Sequence, residues 1–165
     1  MAAGSTYTPL ATSTVTSGTT TAFTSIPGTY TDLLLVVNGI CAAGGPGDLR
    51  LQFNSDTATN YSYNRLLGTG STVTNGRATA ANFIIGGQTS TTNPSVTLCN
   101  IQNYSNTTTN KTTISNYGNY NPTNNAVGVS VGMWRSTAAI TRIDISTNVA
   151  FDVTVYLTLY GIVAA

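Results

Sequence analysis

From Phe151 to Tyr160 the chain alternates without a break. Phe151, Val153, Val155, Leu157 and Leu159 fall on one parity, and Asp152, Thr154, Tyr156, Thr158 and Tyr160 on the other. A period of two places each set on its own face of a strand, whereas a helix would scatter both around its axis. The run therefore predicts a strand with one face in a core. Asp32 to Ile40 is instead almost continuously apolar, which predicts a central strand covered on both faces.

The rest of the chain repeats this pattern. No window has a helical period, there is no Glu, and Lys and Gln are scarce. Further strands are expected at Ala22–Ser25, Leu49–Phe53, Ser62–Leu67, Ala81–Ile85, Ser95–Tyr104, Lys111–Tyr120, Ala126–Trp134 and Ile140–Ser146. Turn chemistry divides them: Pro27-Gly28 suits a type II turn, and Gly44 to Gly47, Asn75-Gly76, Gly86-Gly87 and Asn121-Pro122 read as further connections. Many short strands with no helix between them predict a single-domain all-β protein, an antiparallel β-sandwich of jelly-roll type. Residues 22–165 form that sandwich, and the Thr/Ser-rich residues 1–21 are either an N-terminal arm or an edge strand.

Composition narrows the function. The five acids are all Asp, there is no His, and six cations leave a net charge of +1. Glu and His carry much of the proton transfer that enzymes perform near neutral pH, so their absence argues against an enzyme. Single, scattered cations give no footprint for nucleic acid. Near-zero net charge gives little repulsion between copies. Cys41 and Cys99 lie far apart and have no His to complete a zinc site. They read as buried thiols in preference to one disulfide. The N-terminus shows no secretory signal, and the longest apolar run, Leu33 to Val37, is too short to span a bilayer. Synthesis in a cytoplasm, with no membrane partner, is the expectation.

Candidate motifs mostly resolve into structure. Ala43 to Gly47 resembles a phosphate loop but lacks the following helix and the Lys. Asn54 to Asn60 spaces side-chain oxygens as calcium loops do, yet lacks the sharp-turn Gly and the closing carboxylate. It reads as a loop held by Asx-type bonds to its own backbone. A serine nucleophile has no His base, and the dispersed Asp residues do not suggest a glycosidase pair. No catalytic, cofactor-binding or metal-binding residue is assigned. Tyr117 and Tyr120, with neighbouring Asn, could form an aromatic and amide surface for protein or sugar, or be ordinary strand tyrosines. Trp134 reads as core or subunit interface.

Several strings together carry a resemblance: Tyr7 to Thr12, Ser25 to Leu33, Leu51 to Asp56 with Asn60-Tyr61-Ser62, and Tyr156 to Gly161. The chain resembles small all-β virion proteins of tailed bacteriophages, particularly those of aquatic and cyanobacterial phages. The resemblance implies a capsid decoration (cement) protein or a tail or fibre accessory protein, with no catalytic residues to carry over. The absence of a shaft repeat or coiled coil favours the cement protein, on the capsid surface of the virion. Its expected partners are the major capsid protein and copies of itself in a homotrimer. The expected interface residues are Tyr7, Pro9 and Leu10 near the N-terminus, Tyr117 and Tyr120, and Trp134. The alternative is a receptor-binding module for host surface glycan.

Overall fold

Short β-branched runs punctuated by polar connections give twelve strands and, among the described residues, no helix. The computed structural model describes residues 6–41, 46–91, 93–120, 125–151 and 154–163. The strands are β1 (Tyr7–Val15), β2 (Thr20–Phe23), β3 (Asp32–Gly39), β4 (Asp48–Phe53), β5 (Tyr61–Gly68) and β6 (Val73–Ala81), then β7 (Ile84–Gln88), β8 (Ser95–Gln102), β9 (Lys111–Asn119), β10 (Ala126–Trp134), β11 (Ile143–Thr147) and β12 (Val155–Ile162). An eight-stranded sheet has the order β1-β12-β3-β8-β9-β10-β5-β6, and a four-stranded sheet the order β2-β11-β4-β7. All pairings between these strands are antiparallel, and one isolated bridge, Ile40 to Ser90, is parallel. The sheets pack face to face as a β-sandwich. β1 pairs with β12, β2 with β11, β3 with β8 and β4 with β7, so the chain folds as nested pairs that pass between sheets. The hairpins β5–β6 and β9–β10 both widen the larger sheet.

The C-terminal alternation places Val155, Leu157 and Leu159 in the core, beside Leu33, Leu35 and Val37 of β3 and Cys99 and Ile101 of β8. Leu49, Leu51, Phe53, Ile143 and Ile145 of the smaller sheet close over them. At one end Trp134 packs on Phe53 and stacks on Tyr61, with ring centroids 5.7 and 6.3 Å away. Cys41 and Cys99 are free and buried.

Several local expectations are corrected. Gly28 does not take the positive φ that a type II turn requires; Ser25 does, at 55°, and Tyr104 Oη donates to Pro27 O. Asn75-Gly76 lies inside β6 and Gly86-Gly87 inside β7. The hairpin turns instead at Thr69 to Thr72, where Gly70 has φ +88° and Thr69 N donates to Thr72 O. The boundary at residue 21 falls within β2, while of the two readings of residues 1–21 the described part takes the edge strand, with β1 at the edge of the larger sheet. The connections expected at 44–47 and 121–122 lie wholly or partly outside the described residues. β3 is central, as its apolar run predicts, but Leu34 and Val36 on its second face are only half-buried.

Candidate interaction surface

Strand parity fixes what each face of the larger sheet shows. In β10, Ala126, Ser130, Gly132 and Trp134 are buried against the smaller sheet, so Val127, Val129, Val131 and Met133 point outward. The inward set is small because β7 comes close: Ser130 Oγ donates to Ile85 O at 2.6 Å. A methyl group at Gly132 would collide with Ile84 and Thr113, and one at Gly87 with Thr97.

Register carries the outward set across the sheet in three rows. They run Leu34, Asn100, Ile114, Val131, Asn64; then Val36, Leu98, Asn116, Val129, Leu66; then Asn38, Val96, Gly118, Val127, Gly68. Val127 is 69% exposed, Leu66 53% and Met133 40%. Isolated exposed valines are ordinary, but a contiguous apolar field is the mark of an interaction site. Of the outward positions on β12, β3, β8, β9, β10 and β5, only Asp32 at the margin is charged, and Arg77 of β6 borders the opposite side. A shallow groove of about 510 Å³ runs through the field between Leu66, Val96, Leu98, Val127 and Val129.

The interface residues expected from sequence divide. Tyr7 and Pro9 are exposed on β1, with the Tyr7 ring edge-on to Tyr160 at 6.5 Å. Leu10 turns inward and packs on the core. Tyr120 is exposed and its carbonyl accepts from Ser90 Oγ. Tyr117 and Trp134 are buried, at 5% and 3% exposure, so neither ring presents a surface to a partner. Sequence reasoning missed the valine field, although parity held the signal: once Trp134 is core, Val127, Val129, Val131 and Met133 must face away from it.

Several charged groups are occupied structurally. Asp48 of the smaller sheet pairs with Arg65 of the larger at 2.7 Å, and Asp144 pairs with Arg142 at 2.5 Å. Asp32 accepts from Asn103 N at 2.6 Å. The 54–60 loop is closed by its own side chains, as expected. Asp56 accepts from Ala58 N, Asn60 Nδ2 and Trp134 Nε1 at 2.9, 2.9 and 2.7 Å, and the Asn60 bond leads the effects holding its carboxyl below the usual range. Lys111 is buried, donating from Nζ to Thr109 O and Thr137 O, and desolvation lowers its pKa. Among the described residues no group of three or more His, Cys, Asp or Glu could hold a metal ion. No helix among them is long and apolar enough to cross a membrane.

A second, polar groove of about 440 Å³ lies on the smaller sheet, lined by Gln52, Ser55, Thr57, Arg142 and Asp144 among others. Comparison with protein-family models, with curated proteins and with solved structures gave no match.

Proposed function

We propose that this chain is a structural protein of a tailed-phage virion: a capsid decoration protein that binds the outside of the icosahedral shell with copies of itself, as a homotrimer. The observation that carries the reading is the outer face of the eight-stranded sheet, broad, nearly uncharged and rich in exposed Val, Leu, Ile and Met, with Asn100, Asn116 and Asn64 set among them. Such a face suits binding, and binding is all that a cement protein contributes. A ligand that holds only the assembled lattice stabilises it by mass action, and many symmetric copies multiply a modest affinity. The nested pairs β1/β12, β2/β11, β3/β8 and β4/β7 support the further reading of the sandwich as a jelly roll. Tyr7 and Pro9 on the β1 edge are the side chains offered to the major capsid protein.

The test is the copy number of this protein in purified virions, counted by quantitative mass spectrometry against the major capsid protein. A simple lattice fraction is expected, and a few copies per particle would contradict the decoration role. A second reading, recognition of host surface glycan, is favoured by the polar groove at Gln52, Arg142 and Asp144, whose amide, guanidinium and carboxylate match the hydrogen-bonding needs of a sugar. It predicts glycan-array binding that Asp144→Asn weakens.

A further inference from the structure

We infer that the outer face of the eight-stranded sheet is where this chain packs against another copy of itself. The inference rests on the reading above only for the expectation that copies associate; the surface is assigned from the fold, and like faces meeting make a two-fold contact, so it gives a pair of copies where that reading has three.

Size comes first. The six strands from β12 to β5, spaced about 4.8 Å apart, span about 24 Å, and the rows from Met133 to Val127 cover about 20 Å. That is about 480 Å² in projection, polar positions such as Asn100 and Asn116 included, within a factor of two of the ~800 Å² each partner contributes to a stable interface.

The identity of the occupant follows from charge. A face with no charge at its centre offers nothing to nucleic acid or to a charged partner, whereas two such faces meet without stranding a charge. Asp32, at the end of β3, and Arg77, on the edge strand β6, have opposite signs, so copies can meet there without like charges opposed.

Shape agrees. The third row continues onto β6, reading Val96, Gly118, Val127, Gly68, Val73: ridges and gaps in alternation. Ridges two strands apart stand about 9.6 Å from one another, so the row fits a copy of itself shifted by one strand. The glycines in the gaps are not required by the chain's own packing. A methyl group would meet nothing nearer than 3.8 Å at Gly68 or 3.9 Å at Gly118, both ordinary contacts, and neither has a positive φ. Glycine in a strand weakens it, and its use there marks close approach by another backbone or side chain. Finally, β3 is apolar on both faces, a pattern of strands covered on both sides, yet one chain covers only one.

Sedimentation velocity on the purified protein tests this directly, with Val129→Lys and the double variant Gly68→Ala/Gly118→Ala, and with Ser146→Lys on the other sheet as control. The wild type and the control should sediment as one closed oligomer. The lysine should weaken association at least about a hundredfold, because a charge is buried without a partner. The alanine pair should weaken it about tenfold while leaving the melting temperature of the dilute chain unchanged or raised. Should Val129→Lys fail to fold, the near-isosteric Val129→Thr takes its place, with a weakening of about tenfold expected. A monomeric wild type, or an oligomer indifferent to these face variants, overturns the assignment. A monomeric wild type would also remove the homotrimer from the reading above, whereas an oligomer indifferent to the face variants removes this assignment alone; the virion copy number tests the decoration role separately.

Discussion

Asp56 shows how much one side chain holds in this fold. Its carboxylate closes the 54–60 loop and accepts the indole N–H of Trp134, while its backbone carbonyl accepts from Tyr61 Oη at 3.0 Å. Asp56→Ala leaves a buried indole donor without this partner, a cost of about 2 kcal/mol, and should lower the melting temperature by about 4–8 °C in calorimetry. The Asx bonds inside the loop were legible because they span a few residues; the Trp134 bond joins residues 78 apart and was not. Titration belongs to this scale too. With no His or Glu, stability should be flat from about pH 5 to 8. Burial raises Tyr61 to about 12 and Cys99 to about 11. Groups raised in the folded state lend stability that is whole below their unfolded pKa and lost as pH rises through the folded one, so the loss begins near pH 9. Lys111, lowered by burial, has the opposite sign and offsets part of that fall. Urea denaturation across pH 5–12 should trace a plateau and then a decline. The two thiols should be inert to Ellman's reagent in the native protein and both react once it is unfolded.

Among the elements, β10 is the most informative. Its sequence carries valines on one parity and Ala, Gly, Ser and Trp on the other, and ordinary patterning would send the valines inward. The structure does the reverse because β7 packs tightly on the inner face. Gly132→Ala should therefore cost about 1–3 kcal/mol by overpacking against Ile84, while Gly118→Ala should be neutral or slightly stabilising in the dilute chain. Chemical denaturation of the two variants side by side checks the contrast. β12 was legible, since a strict period of two with a single apolar set admits one reading. β6 and β7 were not, because Asn75-Gly76 and Gly86-Gly87 look like turns. What places Gly86 and Gly87 inside a strand is the approach of Leu51 and Thr97, distant in sequence. The second apolar face of β3 is visible in its sequence, which predicts cover on both faces, and the sandwich supplies only one.

At the scale of the whole molecule, the sandwich has one face sealed by the smaller sheet and one face open. An uncharged contact should be insensitive to ionic screening, so raising sodium chloride tenfold should leave the sedimentation coefficient of the oligomer unchanged. Fold class was readable from strand periodicity and the lack of any helical period, although several turn signals fell inside strands. The site was not, because it emerges only when register aligns Val96 and Leu98 of β8, Ile114 of β9, the valines of β10 and Leu66 of β5, which no local window brings together. Met133 sits on that face, 40% exposed in the single chain, and reports directly on whether something covers it. The decisive measurement is hydroxyl-radical footprinting of Met133 in the assembled wild type and in Val129→Lys. Protection in the wild type, with several-fold faster oxidation in the variant, is the predicted result. Equal oxidation of Met133 in both would contradict an interface on this sheet.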